Sequence, residues 1–331
     1  MKALVVRLDS FGDVLLAGPA VRAVAAHCSH VAMLCGPRGE PAARLLPGVD
    51  EVLVWEAPWE GFDPPSVADA DVAGLLGRLR AAAFDTALVL TSFHQSPLPT
   101  ALLLRLAGVG RIGADSVDHA GRLLDVRHRR RAGRHEAEAA LDTAVALGFL
   151  PGPGDDGRLR VLPPPDTVAL TGPGPYVVVH PGASAPARAW GADRCAAAVE
   201  LLADAGHRVV VTGGPGETEL TRSVSGDAGI DLGGRTDPRV LAGVLRLADV
   251  VVCGNTGPAH LAAAVGTPVV SLFAPVVPAE RWAPYGVPSV LLGNQRAPCA
   301  DTRARDCPVP GHPCLAEVSA EDVVGAVQKL L

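Results

Sequence analysis

Short runs of Val, Leu and Ala alternate with alanine-rich stretches along this chain, and the alternation stops and then restarts across a segment dominated by proline and glycine. Apolar runs without a polar alternate face suit strands covered on both sides, so the pattern predicts parallel β-α-β units rather than hairpins. Strands are expected at residues 3–8, 31–35, 51–54 and 86–90, and again at 176–180, 208–212, 250–253 and 268–273. Helices are expected at 19–26, 70–83, 135–147, 193–205 and 240–248, with a last one over 317–331 that has Ser319 as N-cap and Asp322 at its third position. The break falls at 151–175, where Pro163-Pro164-Pro165 and Gly172-Pro173-Gly174-Pro175 predict a stiff connection. The expected organisation is therefore an N-terminal Rossmann-like domain at 1–150, the linker at 151–175, a C-terminal domain at 176–315 and a terminal helix at 316–331. Two such α/β halves facing a central cleft are the natural assembly.

A chain of 331 residues, 48% of them hydrophobic, can build both cores. Its net charge of -6 argues against a nucleic-acid partner, although arginine and histidine cluster over 122–135. Lys2 and Lys329 are the only lysines, so fixed positive charge in a site must come from arginine or from backbone dipoles. The opening strand-like run lacks the apolar core and small-residue cleavage site of a signal peptide, which predicts a cytoplasmic protein. The weakly polar stretch 261–279 contains Gly266, Pro268, Pro275 and Pro278 and reads as a helix-loop-strand unit rather than a membrane span.

Chemistry-bearing residues gather where predicted strands end. The first such loop, Arg7-Leu8-Asp9-Ser10-Phe11-Gly12-Asp13-Val14, enters a helix carrying Pro19, with Gly12 available for a tight turn. Asp13 has two readings: a helix cap, or a general base that takes a proton from an attacking hydroxyl. Asp9 is its competitor, placed close enough to the strand for a structural hydrogen bond. In the loop from His180 to Trp190, Gly182 and Ser184 offer donors and Arg188 offers a guanidinium to a diphosphate, against the alternative of a solvated surface turn over a core Trp190. Next, Thr212-Gly213-Gly214-Pro215-Gly216-Glu217 could bring Glu217 to both hydroxyls of a ribose, or Glu217 and Glu219 could complement a helix dipole.

Gly254-Asn255-Thr256-Gly257-Pro258-Ala259-His260 is the most informative loop. Pro258 suits a first helical turn, so the N–H groups of Thr256 and Gly257 and the Thr256 hydroxyl could converge on a phosphate, with His260 either donating nearby or satisfied by the backbone. No Gly-x-Gly-x-x-Gly follows the first strand and no Walker A sequence occurs, which removes weight from hydride transfer and P-loop chemistry. Of seven cysteines, Cys28, Cys35, Cys195 and Cys253 read as reduced core thiols. The spacing Cys299-x7-Cys307-x6-Cys314, with His312 nearby, lacks the close cysteine pairs of structural zinc and reads as packing or redox-sensitive thiols, with no metal.

Taken together, these residues resemble glycosyltransferase family 9, the ADP-heptose:lipopolysaccharide heptosyltransferases and their relatives. The resemblance runs through most of the chain: Arg7 to Asp13, Arg111-Ile112-Gly113, His135, Asn255 to His260, and the tail ending Pro313-Cys314-Leu315. It implies an α/β GT-B fold, inverting direct displacement, and no required metal or cofactor. By match to the family's motifs, Asp13 is the base, Arg188 takes the place of a diphosphate-binding lysine, Glu217 fits the ribose-binding acid, and Thr256, Gly257 and His260 fall in the donor-phosphate loop. Ser10, Gly12, Ser184 and Asn255 complete the expected donor contacts. Family members usually carry Asp where this chain has Asn255, so an ionic contact becomes a neutral one. Arginine at 188 exchanges a point charge for a planar fork.

The expected partners are a nucleotide-diphosphate sugar and a carbohydrate or glycoside acceptor, either a lipopolysaccharide core or a small molecule. Nucleic acid is not expected, and peripheral membrane contact only with a lipid acceptor. The alternatives are a nucleotide-sugar epimerase of the same architecture, which would turn over donor without acceptor, and a binding protein that has lost transfer.

Overall fold

The apolar runs form strands buried on both faces, each flanked by helices, in two separate parallel sheets. The computed structural model describes all 331 residues and divides them into two units, Met1–Leu162 and Pro163–Leu331.

In the first unit β1 (Lys2–Arg7), β2 (His30–Cys35), β3 (Glu51–Val54), β4 (Thr86–Val89), β5 (Arg111–Asp115) and β6 (Val126–His128) align in the order β3-β2-β1-β4-β5-β6. Every pairing is parallel, with Val5 opposite Met33 on one side and Leu88 on the other. The second unit repeats the plan. Its strands are β7 (Val177–His180), β8 (Val209–Val211), β9 (Gly229–Asp231), β10 (Val250–Gly254), β11 (Val269–Leu272) and β12 (Ser289–Leu292), in the order β12-β11-β10-β7-β8-β9 and again all parallel. Each sheet reverses its winding once, between β1 and β4 in the first unit and between β7 and β10 in the second. Open α/β sheets hold ligands at that reversal, outside the carboxyl ends of the strands.

Each unit has its own core: Leu4, Val6, Leu34, Leu79, Leu104 and Ile112 in the first, and Val177, Val199, Val211, Val252 and Leu272 in the second. The strands that sequence periodicity did not reveal, β5, β6, β9 and β12, lie at or next to the sheet edges. They include exposed or half-exposed positions, and β5, β6 and β9 carry charged residues. A strand covered on one side only need not be an apolar run. A helix at Leu98–Leu106 was also unanticipated.

Local differences have clear causes. The helix expected at 19–26 is two helices, Phe11–Leu16 and Gly18–Ala25, hinged at Ala17, so the Arg7–Val14 segment is helical from Phe11 onward. Gly12 is buried in that helix and is absent from the positive-φ glycines, so it does not supply the turn expected of it. The first unit runs past Leu150 to Leu162 because the added segment is tied down. Arg22 holds Asp155 through two hydrogen bonds of 2.7 and 2.9 Å, and Leu162 N–H donates to the Leu45 carbonyl at 2.7 Å.

Pro165 packs on the second unit, where a Cβ on Gly243 would lie 2.5 Å from the Pro165 carbonyl oxygen. The proline- and glycine-rich segment is thus shared out between the two units rather than suspended between them. The last helix, Ala320–Gln328, also belongs to a core: Val323, Ala326 and Val327 are buried with the second sheet. Its start matches expectation, with Asp322 N–H donating to Ser319 Oγ at 3.1 Å and Ser319 N–H to the Asp322 carboxylate at 2.9 Å. No helix is long and apolar enough to cross a membrane. All seven cysteines are free, and burial pushes the Cys35, Cys195, Cys253 and Cys314 thiols up to about 12.

Candidate functional site

At the winding reversal of the first unit, the end of β1 meets the end of β4 in a buried ionic network centred on Arg7. Its guanidinium, 3% exposed, donates to Asp9 at 2.6 Å, to Asp13 at 3.2 Å and to Ser92 Oγ at 2.8 Å, and lies 3.8 Å from Glu136. Ser92 in turn donates to Asp9 at 3.1 Å. Glu136 opens the helix Glu136–Ala146 and also pairs with Arg130, which reaches Asp115 at 3.2 Å and the Thr91 carbonyl at 2.9 Å. His135 caps that helix by accepting from Ala137 N–H at 3.2 Å.

Two arginines therefore serve four carboxylates, and burial and charge pull on their pKa values in opposite directions. Burial pushes Glu136 above the usual carboxylate range, opposed by Arg7 and Arg130. It does the same to Asp9 against the pull of Arg7. Burial alone would lower Arg7, but Asp9, Asp13 and Glu136 together hold it above its ordinary value. Asp13 is the most accessible acid of the group, its side chain 17% exposed against 12% for Asp9 and 1% for Glu136. Its other oxygen accepts Ser10 Oγ–H at 2.6 Å and Ser10 N–H at 3.4 Å, so Asp13 closes the helix start as well as carrying an exposed carboxylate edge. Ser10 spends its hydroxyl on Asp13.

In the second unit the loops after β7, β8 and β10 meet at the corresponding reversal. His180 ends β7 and is buried against Thr212 Oγ, with Nδ1 at 3.0 Å; burial pulls its pKa below the ordinary value, opposed by Glu217, which leaves a neutral ring. Glu217 ends a short 3-10 turn, Pro215–Glu217, where one oxygen accepts Gly214 N–H at 2.7 Å. The other lies over Gly182, where a Cβ would collide with it, so glycine at 182 is a packing requirement. Arg188 ends a second 3-10 turn, Pro186–Arg188, and its Nη1 points to the Asn255 carbonyl at 3.5 Å. Gly254 permits that approach, since a Cβ there would stand 2.9 Å from the Arg188 carbonyl oxygen. Ser184 is exposed in the intervening loop.

After β10 the loop departs from the sequence expectation in an instructive way. Thr256 N–H is not available to a ligand, because it donates to the Gly254 carbonyl at 2.9 Å. Pro258 has no N–H, and Ala259 turns its own back to the Thr256 carbonyl at 3.1 Å, so Gly257 supplies the open backbone donor of the helix Gly257–Val265. Thr256 precedes that helix in an extended conformation without capping it. Its residue is 8% exposed, and its Oγ is buried without a hydrogen-bond partner. His260 is buried in the helix's first turn.

Asn255 is committed differently. Its amide nitrogen donates to the Ala274 carbonyl and its amide oxygen accepts Ala274 N–H, each at 3.2 Å, a two-point clasp between the loop after β10 and the end of β11. The sequence-derived set is thus split. Ser10, Gly12 and Asp13 lie in the first unit, whereas Ser184, Arg188, Glu217, Asn255, Thr256, Gly257 and His260 converge in the second. Sequence reading missed Glu136, Arg130, Asp115 and Ser92, and gave no role to His180. Of these, only Arg130 belongs to the Arg/His cluster over 122–135.

Two units of one winding, with an acid network at the first reversal and an anion-competent helix start at the second, define the GT-B architecture of nucleotide-sugar enzymes. The chain belongs to glycosyltransferase family 9 (heptosyltransferase), whose family model matches residues 72–312. It is 29% identical over 170 residues to lipopolysaccharide heptosyltransferase 3 of Escherichia coli K12, a match covering 47% of this chain and 46% of that protein. The chain therefore spans about half the length of the curated relatives it matches. Among solved structures it is similar to a family 9 glycosyl transferase of Veillonella parvula, with a TM-score of 0.78 and 18% identity over 99% of this chain and 96% of the other. It is also similar to Escherichia coli heptosyltransferase WaaC with ADP, with a TM-score of 0.73 and 20% identity over the whole of both chains.

Proposed function

We propose that this protein is a glycosyltransferase that moves a heptose or related sugar from an ADP-linked donor to a carbohydrate hydroxyl, by inverting displacement without a metal. The observation that carries the reading is the start of the helix Gly257–Val265. An orphaned, nine-tenths buried Thr256 hydroxyl, an open Gly257 N–H, the positive end of the helix dipole and the nearby Arg188 make a site that lacks only an anion. The ADP-bound heptosyltransferase of similar fold supports a nucleoside diphosphate as that anion.

Asp13 takes the proton as the acceptor oxygen attacks the anomeric carbon, and the bond from that carbon to the diphosphate oxygen breaks with inversion. The charge left on ADP is received by Arg188 and the helix start, where fixed dipoles need no reorganisation. Arg7 stands 3.2 Å from the Asp13 carboxylate and is shared with Asp9 and Glu136, so its positive charge is not spent on Asp13 alone. Glu217 and His180 form the polar end suited to a ribose, and Asn255 acts through the loop it fastens. A lipopolysaccharide core and a small-molecule glycoside both satisfy this chemistry as acceptors.

The test is mass-spectrometric screening of ADP-, GDP- and UDP-sugars against candidate acceptors, with wild type and Asp13→Asn side by side. Transfer from the ADP-sugar, slowed about 10²- to 10⁴-fold in the variant with ADP binding intact, is expected. Wild-type rates in Asp13→Asn under rate-limiting chemistry would sink the assignment.

A further inference from the structure

The tail segment from Cys299 to Cys314 reaches the turn that carries Arg188. Both backbone polar groups of Ala187, a residue 1% exposed, are held from that segment: its N–H donates to the Arg305 carbonyl at 2.9 Å, and its carbonyl lies 3.1 Å from His312 Nε2. A carbonyl only accepts, so Nε2 carries the proton in this contact. The same segment also fastens the loop after β11, with Asp301 N–H on the Pro275 carbonyl at 2.9 Å and Arg303 N–H on that of Val276 at 2.8 Å. Asn255 clasps the neighbouring Ala274, and Arg188 reaches back to the Asn255 carbonyl. The contacts form a closed circuit from Asn255 through the tail segment to Ala187 and Arg188.

A single 3-10 turn of three residues has little stability of its own, so the placement of Arg188 depends on what holds the turn from outside. His312 is built for that contact. It sits in the left-handed region at φ 49°, a strained position for a residue other than glycine, two residues before the buried Cys314. Cys299 and Cys314, at the two ends of the segment, are both buried in the core of the second unit, and Cys307 Sγ donates to the Val309 carbonyl at 3.3 Å. The cysteines thus anchor the segment on both sides of its contact with the turn.

We propose that His312 is a positioning residue for the donor diphosphate, fixing Arg188 through the Ala187 carbonyl. The proposal rests on the reading of Arg188 as a diphosphate ligand. It is tested by calorimetric titration of ADP into the full chain carrying His312→Ala, His312→Gln, Arg188→Ala, or His312→Ala with Arg188→Ala. His312→Ala should weaken ADP about five- to tenfold, the scale of one hydrogen bond. His312→Gln, which keeps an N–H donor, should bind within about twofold of wild type on the same scale. In the Arg188→Ala background, His312→Ala should have no further effect, because the two act as one unit. If His312→Ala does not fold, His312→Phe, which fills the space without a donor, replaces it. Wild-type affinity in His312→Ala alongside a weakened Arg188→Ala overturns the positioning role alone, as does full additivity in the double variant. Wild-type affinity in Arg188→Ala overturns the diphosphate reading and the positioning role with it.

Discussion

Asn255→Asp exchanges one atom type in a buried clasp, and the structure fixes both the sign and the size of its effect. In the wild type the amide makes two hydrogen bonds of 3.2 Å to Ala274, in a residue only 5% exposed. An aspartate keeps the acceptor for Ala274 N–H but, when ionised, loses the donor and places a carboxylate oxygen against the Ala274 carbonyl. Stranding that carbonyl costs about 1–3 kcal/mol. Burial and the carbonyl both disfavour the anion, so the introduced carboxyl has a folded-state pKa above its unfolded value. The folded state then holds more protons than the unfolded one, and stability falls as pH rises through that interval. Each unit of pKa elevation adds about 1.4 kcal/mol to the loss at higher pH.

Asn255→Asp should therefore be less stable than wild type by about 3 kcal/mol at pH 8, and by under about 1 kcal/mol at pH 4.5, where the protonated acid again donates to Ala274. Asn255→Ala, which loses both bonds, should be destabilised by about 2–4 kcal/mol with no such pH dependence. Urea unfolding followed by tryptophan fluorescence, with Trp190 buried in the second unit, measures all three proteins across this pH range. A pH-independent difference for Asn255→Asp, or wild-type stability at pH 8, would show that the amide does not make the clasp.

Thr256→Val should weaken ADP by about three- to tenfold while leaving stability equal or slightly raised, because it removes a buried hydroxyl that has no partner within the protein. Calorimetry and thermal unfolding read the two effects separately, and a loss of stability with unchanged ADP affinity would count against the anion site. Glu136→Gln removes a negative charge from the group around Asp13, so the acid limb of the kcat/KM profile for sugar transfer should move to lower pH. Because burial raises Glu136 in the folded state, its contribution to stability declines as pH rises from the unfolded value towards the folded one. The variant should lack that slope, as the urea midpoint between pH 4 and 7 would reveal.

The physical basis of what could be read early is local. The valine runs of β7, β8 and β10 and the alanine-rich helices between them declare a parallel sheet, because each strand must be apolar on both faces to be buried there. Ser319 and Asp322 mark a helix start by chemistry that spans a single turn. The edge strands β6 and β9 were silent because their half-exposed positions remove the apolar signal on which such reading depends. Asp13 was legible as a loop carboxylate, yet its cap and its ionic partners could not be weighed from residue order. Ser10 stands three residues from it, whereas Ser92 meets Arg7 across 85 residues of chain.

Residue order alone carries the two-unit parallel α/β plan, the loops at the strand ends and the residue types available there. Periodicity and turn chemistry act over a few residues, and they survive in one dimension. How those residues are used depends on packing: the Asn255 amide is spent on Ala274, the Thr256 N–H is withdrawn while its hydroxyl stays unpartnered, Glu136 and Arg130 are drawn into the Arg7 network, and His312 is brought across 125 residues to Ala187. Hydrogen bonds and ion pairs require partners within about 3 Å, and which distant groups come that close is fixed only when the sheets wind and the helices pack.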